Sequence, residues 1–152
     1  MPLDKKHTIA RELLWEMGPF DVPPEAFKQI HYQFELIVSE ANWHQLLCHN
    51  RKTHFVYSRP SPHNGLTIPP TVKEAGLEDE LIELSEASYQ LYDSLSEDVR
   101  DYVVLNAHRR QVIADFNLWE AYHLINLRTS QEAQWDIRKT FEEVYHQIKM
   151  VH

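Results

Sequence analysis

Cysteine, glycine and long apolar runs are all scarce in this chain of 152 residues, and each scarcity excludes a class of protein. The single cysteine, Cys48, cannot form an internal disulfide or a multi-cysteine zinc site. The three glycines, Gly18, Gly65 and Gly76, cannot build a dinucleotide-binding G-x-G-x-x-G, a P-loop or a G-x-S-x-G elbow. No apolar stretch approaches the ~20 residues that are needed to span a bilayer.

Positive charge is also scarce, since 15 Lys and Arg face 23 Asp and Glu and the formal net charge is −8. That balance argues against a protein that binds the nucleic-acid backbone. The N-terminal MPLDKKHTIARELLWEMG lacks the apolar centre and small-residue cleavage site of a signal peptide, so we expect a cytoplasmic protein without membrane association. The length and the 43% apolar content suit one domain, residues 1–152, with a real core.

Hydrophobic periodicity predicts a mixture of helices and strands. Alternating apolar side chains predict a strand over residues 30–39, and shorter extended segments are predicted at 54–58, 102–105 and 111–116. Helical spacing predicts helices over residues 8–17, 41–49 and 78–95. The last of these has an expected buried stripe that consists of Leu81, Leu84, Ser88, Leu91 and Leu95.

Two helices are predicted in the last third of the chain. Leu118, Tyr122 and Ile125 share one face of the first helix. Thr129 with Glu132 three residues later has the spacing of a capping box, so Thr129 is predicted to cap the second helix. The apolar stripe of that second helix consists of Ile137, Phe141, Val144 and Ile148.

Arg128 is an anomaly, because it ends a predicted helix on the same face as Leu124 and Ile125. A guanidinium on an apolar face is costly unless an anion meets it or its stem reaches water. The fork of arginine suits a phosphate or carboxylate ligand. The structural alternative is a salt bridge to a nearby acid such as Glu132 or Asp136.

Histidine is abundant, with ten in the chain. His44, His49 and His54 recur every five residues, a spacing that turns each about 140° from the last on a helix. They would not share a face, so a metal site would need ligands from distant parts of the chain, and we expect none. Cys48 is interpreted as packing rather than as a nucleophile. The tryptophans are interpreted mainly as core residues: Trp15, Trp43, Trp119 and Trp135.

Residues 117–138, NLWEAYHLINLRTSQEAQWDIR, resemble the C-terminal signature of the flavin-dependent thymidylate synthases. That signature runs N-x-R, then L-R, then A-Q-W-E-I-R. The matching positions are Asn117, Leu127, Arg128, Ala133, Gln134, Trp135, Ile137 and Arg138. Trp119 stands in place of the first arginine, and Asp136 replaces the glutamate.

The family's other signature, R-H-R-x-x-S-x-N-E-x-S-x-R-Y preceded by Q-x-x, resembles QLLCHNRKTHFVYSRPS in this chain. Three positions match, namely Gln45, His49 and Ser58. The positions of two arginines and of the Asn-Glu pair differ, since they hold Cys48, Asn50, Phe55 and Val56. The resemblance covers about residues 24–148.

The resemblance implies an α+β fold with a small, mostly antiparallel sheet wrapped by helices and with long C-terminal helices. Members of the family are homotetramers with active sites at subunit interfaces, and they bind FAD and dUMP. They transfer a methylene group from methylenetetrahydrofolate to the pyrimidine and reduce it with hydride from the flavin, which NADPH recharges.

The resemblance also implies roles for single residues of this chain. Arg128 and Gln45 would hold the nucleotide, and Ser58 would bond its phosphate. His49 and Asn117 would contact the flavin. Asn117 could equally cap the helix that begins at Leu118, and His49 could equally be a satisfied core histidine.

Three arginines of the family are missing, and their positions hold Cys48, Asn50 and Trp119. Each charged hydrogen bond contributes ~1.5–3 kcal/mol, so losing three weakens anion binding by about 4 kcal/mol or more. We therefore expect dTMP synthesis to be weakened or lost, unless nearby arginines compensate: Arg51, Arg59, Arg109 and Arg110.

Several functions stay open at this point. The favoured one is a divergent homologue that binds a nucleotide and FAD, and the alternatives are an active FAD-dependent enzyme and a non-catalytic assembly subunit. The weakest alternative is a metal- or small-molecule-binding protein unrelated to flavin.

Overall fold

The computed structural model describes residues 2–18 and 21–151, which form six α-helices, four short 3-10 helices and one three-stranded antiparallel sheet. This confirms the predicted α+β class. Within those residues, no helix combines the length and the apolar character that crossing a membrane requires.

In chain order the α-helices and strands are α1 (Leu3–Leu14), β1 (His31–Ser39), α2 (Glu40–Leu46), β2 (His54–Tyr57), α3 (Pro70–Glu74), α4 (Glu78–Ser94), β3 (Arg109–Asn117), α5 (Leu118–Arg128) and α6 (Trp135–Val151). The 3-10 helices are Glu25–Gln29, Leu47–His49, Pro62–Asn64 and Arg100–Val103.

The sheet has the order β1-β3-β2, and both outer strands run antiparallel to β3. Asn117 at the end of β3 lies opposite His31, and Arg109 at its start lies opposite Ser39. Successive side chains of a strand point to opposite faces, so one face of β3 enters the core and the other meets solvent. The buried face carries Val112, Ala114 and Phe116.

The core lies between this sheet face and helices α2, α5 and α6. The predicted stripe of α6 is confirmed, because Ile137, Phe141, Val144 and Ile148 are all buried. Polar contacts also join α6 to the end of β1 and to α2. The Ser39 hydroxyl donates to the Asp136 carboxylate at 2.5 Å, and the Asn42 amide donates to the Thr140 hydroxyl at 2.9 Å.

Two predicted extended segments differ from the structure. The strand predicted at 111–116 begins two residues earlier, because Arg109 and Arg110 pair with the end of β1. The segment predicted at 102–105 is not extended, since residues 100–103 form a 3-10 helix. The Arg100 guanidinium there lies 4.9 Å from the centre of the Tyr92 ring on α4.

The predicted buried stripe of α4 is correct only in part. Ser88 is buried as predicted, and Leu81 and Leu95 are partly buried, but Leu84 and Leu91 are 54% and 47% exposed. Tyr92, which was not predicted, is buried. The helix attaches through hydrogen bonds as well as apolar contacts. The Ser88 hydroxyl donates to the carbonyl of Val103 at 2.6 Å, and the Tyr92 hydroxyl donates to the carbonyl of Pro60 at 3.1 Å.

The predicted cap of α6 at Thr129 is wrong. The Thr129 hydroxyl donates backwards to the carbonyl of Ile125 at 2.8 Å, and Thr129 follows the last residue of α5. Helix α6 begins only at Trp135. There the Gln134 side-chain oxygen accepts from the backbone N–H groups of Asp136 and Ile137 at 2.8 and 3.2 Å.

Two predictions about burial fail. Cys48 is exposed, so it does not pack in a core. Trp15 is 78% exposed, whereas Trp43 is buried as expected. Both failures lie in segments whose helices end earlier than predicted, since α1 ends at Leu14 and α2 ends at Leu46.

A buried ion pair joins the first residue of α2 to the central strand. Arg110 donates from Nε and Nη2 to the two carboxylate oxygens of Glu40 at 2.9 and 2.8 Å, and both side chains are 7% exposed. Its Nη1 also donates to the carbonyl of Ser58 at 3.0 Å. One guanidinium therefore connects α2, β3 and the segment after β2.

Removing one member of this pair is expected to destabilise the fold strongly. Arg110→Met leaves the Glu40 carboxylate buried without a partner, so the free energy of unfolding should fall by about 3–5 kcal/mol. The double variant Glu40→Leu with Arg110→Met should recover much of that loss. Arg59→Met at an exposed ion pair is the control, expected to cost less than about 1 kcal/mol in the same urea titration. Equal losses for the Arg110 and Arg59 variants would contradict the assignment.

Candidate functional site

Arg128 and His49 meet where α5 ends and the 3-10 helix after α2 ends. The Nε and Nη2 groups of Arg128 donate to Nε2 of His49 at 3.1 and 2.7 Å. Nη2 also donates to the backbone carbonyl of Gln45 at 3.4 Å. The structure therefore brings together three of the residues that the sequence singled out, although Gln45 takes part here through its main chain.

The partners of Arg128 are neutral acceptors and not acids. Within the described part of the chain, no carboxylate lies within ion-pair distance of Arg128. The expected salt bridge to Glu132 or Asp136 is wrong, because Asp136 accepts from Ser39 and Glu132 is exposed. The positive charge of Arg128 is thus held in place without a negative charge to balance it.

His49 is half-buried and neutral at physiological pH. The pKa of His49 is lowered to about 4, mainly by burial and to a lesser extent by the charges of Arg128 and His123. Since Nε2 accepts from Arg128, the proton of the neutral ring is assigned to Nδ1. One ring nitrogen of His49 therefore has a partner, and a flavin contact by His49 stays a prediction.

Asn117 caps α5, which confirms the structural alternative for this residue. Its side-chain oxygen accepts from the backbone N–H of Glu120 at 2.9 Å, while the backbone of Asn117 ends β3. The cap fixes the turn from strand to helix and hence the direction of α5. A flavin contact by Asn117 stays a prediction.

The Trp119 ring makes cation–π contacts with two lysines, which the sequence did not predict. The Lys52 ammonium lies 3.8 Å from the centre of the Trp119 ring, and that of Lys28 lies 5.6 Å from it. Such cation–π contacts are favourable, more so where water is excluded. The position at which the family signature has an arginine is therefore occupied by an aromatic ring that carries a lysine.

Glu120 and His123, one helical turn apart on α5, complete the neighbourhood of His49. Ligand atoms of these three side chains all lie within 4.8 Å of one another. Glu120 is 2% exposed, and its Oε2 atom has no hydrogen-bond partner. Burial raises the pKa of Glu120, and the nearby His123 and Lys52 partly offset that rise. The Glu-x-x-His spacing on a predicted helix was the signal that could have drawn attention to them.

Ser58 does not lie with the other predicted site residues. Its backbone N–H and its hydroxyl both donate to the carbonyl of Gln111, at 3.1 and 3.4 Å. Gln111 precedes Asn117 by six residues in the same strand, which is roughly 20 Å at 3.3 Å per residue. Within one chain, Ser58 and Asn117 therefore belong to opposite ends of the sheet.

The four arginines that could replace the missing family arginines make different contacts in the structure. Arg110 is committed to Glu40, and Arg59 bonds the Glu97 carbonyl and the Asp101 carboxylate. Arg109 donates to the Thr67 hydroxyl at 2.9 Å. Arg51 is exposed and shares a pocket of about 310 Å³ with its neighbours Asn50 and Lys52 and with Asn117.

A larger groove, of about 1030 Å³, runs between the edge strand β1 and helix α6. It is lined in part by Phe34, Arg109 and Lys139. None of the five predicted site residues lines this groove, so we place the candidate site at Arg128 and His49 on chemical grounds and not in the groove.

Comparison with known proteins supports the resemblance. Residues 6–152 match the model of the family described as thymidylate synthase complementing protein. The chain is also 28% identical, over 131 residues, to the UPF0159 protein Ta1429 of Thermoplasma acidophilum. That alignment covers 83% of this chain but 26% of the relative, so the chain spans about a quarter of the length of that protein.

The capping role of Asn117 can be separated from any ligand role. Asn117→Ala removes the acceptor for the Glu120 N–H, so the free energy of unfolding should fall by about 1 kcal/mol. Asn117→Asp keeps a capping oxygen and should unfold close to the parent in urea. Equal losses for the two variants would show that the side chain stabilises the fold in some other way.

Proposed function

The chain belongs to the family of thymidylate synthase complementing proteins, and on that premise we propose that it binds FAD and a dUMP-like nucleotide with dTMP synthesis weakened or lost. The protein is thymidylate synthase-like, and its family is that of the flavin-dependent thymidylate synthases. Family membership alone does not give the ligands or the activity of this chain, and the proposal concerns those two properties.

The observation that carries the proposal is the uncompensated charge of Arg128. Its guanidinium is oriented by two neutral acceptors, His49 Nε2 and the Gln45 carbonyl, and has no described acidic partner. An arginine held in this way is prepared for an anion, because a phosphate or a carboxylate offers it the charged hydrogen bonds that it lacks. A nucleotide supplies such an anion.

The expected weakening of dTMP synthesis follows from the contacts that the remaining arginines make. Of the four arginines near the signatures, Arg110 is bound internally and Arg59 lies in a surface ion pair. Cys48 and Asn50 supply no charge where the family has arginines. Fewer cations bind a dianionic phosphate and a pyrophosphate less tightly.

One arrangement favours the alternative of an active FAD enzyme. Lys52 on the Trp119 ring and the exposed Arg51 place two positive charges at the pocket that contains Asn117. These cations could replace lost arginines, so retention of dTMP synthesis is the second candidate.

Assembly into a homo-oligomer, most simply a tetramer, is part of the proposal. Ser58 lies at the other end of the sheet from Asn117, so a site that uses both needs a second copy of the chain. The outer sheet face also exposes apolar side chains, including Ile37, Val56 and Ile113. Burying these side chains against another copy would be favourable.

The first prediction from this proposal concerns the reaction. Purified protein supplied with FAD, NADPH, methylenetetrahydrofolate and dUMP should form little or no dTMP, because the anion-binding arginines are too few. The same protein should bind FAD, seen as flavin absorbance that stays with the protein on gel filtration.

Three outcomes would oppose the proposal. Robust dTMP formation would favour the active enzyme and overturn the weakened reaction. Failure to retain or bind FAD or dUMP would leave only the non-catalytic subunit. A strictly monomeric mass by light scattering, measured on the same sample, would contradict a site that is shared between copies.

The second prediction concerns Arg128. Arg128→Ala removes a charged hydrogen bond worth about 1.5–3 kcal/mol, so dUMP affinity measured by calorimetry should fall roughly tenfold to a hundredfold. The melting temperature should change little, since the partners of Arg128 are neutral and no buried charge is stranded.

Arg11→Ala is the matched control, because Arg11 is an exposed arginine on α1 and its loss changes the net charge equally. It should leave dUMP affinity unchanged. Equal affinity of dUMP for the parent and the Arg128→Ala protein would exclude Arg128 from the nucleotide site.

A further inference from the structure

We propose that His49, Glu120 and His123 form a binding site for a divalent transition-metal ion, with Zn²⁺ as its simplest occupant. Among residues 2–18 and 21–151, these side chains are the one group of at least three potential ligands close enough to hold an ion. The inference uses neither FAD nor nucleotide and does not depend on the proposed function.

The backbone brings the three ligands together from two elements. Glu120 and His123 lie three residues apart on α5, so they share a face of that helix. His49 ends the 3-10 helix after α2, and its ring centre is 6.3 Å from that of His123. Ligand atoms around tetrahedral Zn²⁺ are about 3.3 Å apart, so separations within 4.8 Å close by small side-chain rotations.

The chemistry of the ligands suits this ion. Two imidazoles and one carboxylate are a ligand set that proteins use for zinc, and three protein ligands leave a fourth position for water or an anion.

A second, independent observation points to a missing ligand. Glu120 is almost fully buried, yet its Oε2 atom has no hydrogen-bond partner. Burying an unpaired carboxylate costs several kcal/mol unless the group protonates or meets a cation. The positive charge of Lys52 attracts Glu120, but the Lys52 ammonium packs on the Trp119 ring and does not form a salt bridge with Glu120. A metal ion would give the carboxylate the partner that the chain does not provide.

Arg128 competes with the ion for His49. A neutral imidazole has one nitrogen lone pair, and in this structure it accepts from Arg128. Whichever ring nitrogen binds the metal, the lone pair is used and the Arg128 hydrogen bond is lost. Binding must therefore displace Arg128, and removal of its positive charge should strengthen metal affinity.

The test titrates chelator-treated full chain with Zn²⁺ by competition calorimetry and with Co²⁺ by visible absorbance. We expect one ion per chain, a tetrahedral Co²⁺ spectrum and a higher melting temperature in the presence of Zn²⁺. Glu120→Gln and His123→Ala should each weaken Zn²⁺ by roughly a hundredfold, since each removes one of three ligands. Arg128→Gln should bind Zn²⁺ more tightly than the parent.

Matched controls separate this site from adventitious binding by surface residues. Glu83→Gln on α4 and His146→Ala on α6 change the same residue types at exposed positions and should leave Zn²⁺ affinity unchanged. Glu120→Gln without metal should melt at or above the temperature of the parent, because a buried unpaired charge is gone, and Zn²⁺ should no longer raise that temperature.

The proposal is overturned by Zn²⁺ binding that the Glu120 and His123 variants leave intact. It is also overturned by an equal effect of the control variants, by an octahedral Co²⁺ spectrum, or by an Arg128→Gln protein that binds Zn²⁺ no better than the parent. A Glu120→Gln protein that melts well below the parent would contradict the assignment of Glu120 as an unpartnered carboxylate.

Discussion

The buried ion pair between Glu40 and Arg110 fixes the parts of the fold on which the candidate site depends. Glu40 is the first residue of α2, and Arg110 lies in the central strand, so the pair sets where α2 leaves the sheet. The backbone N–H of Glu40 also donates to the carbonyl of His108 at 2.9 Å. Because α2 is short, its start determines where its end lies, and the 3-10 helix that follows that end carries His49.

A second junction positions the other half of the site. Asn117 ends β3 and caps α5, so the strand that carries Arg110 also directs the helix that carries Glu120 and Arg128. Both halves are thus connected through one strand, and the distance between His49 and Arg128 is set by the sheet and not by a loop. Sites built on such elements are more precise than sites built on loops.

The sequence predicted those features that depend on one element at a time. The stripe of α6 and the alternation of β1 are properties of neighbouring residues, and both are present in the structure. The start of β3 was missed because Arg109 and Arg110 look like surface residues. Arg110 is buried because it pairs with Glu40, which lies 70 residues away in the sequence. The family resemblance assigned Arg128 and Gln45 to the nucleotide and His49 to the flavin, but it did not predict the contacts of Arg128 with the other two residues. Glu120 and His123 were missed because their partner lies on another element.

Two groups near His49 lack the partner that their chemistry favours. Arg128 has neutral acceptors and no described acid, and Glu120 has a buried oxygen without a partner. Arg128 and Glu120 do not form an ion pair with each other. Arg128 donates to His49, whereas Glu120 lies near both His49 and His123. The single lone pair of neutral His49 can bind one partner at a time. That partner is either the Arg128 guanidinium or a cation that Glu120 also binds. A cation that takes His49 therefore releases Arg128, and a released guanidinium is the group in this site best suited to an anion. The two proposed ligands of this site, an anion at Arg128 and a metal ion at Glu120, would therefore influence each other's binding through the His49 ring.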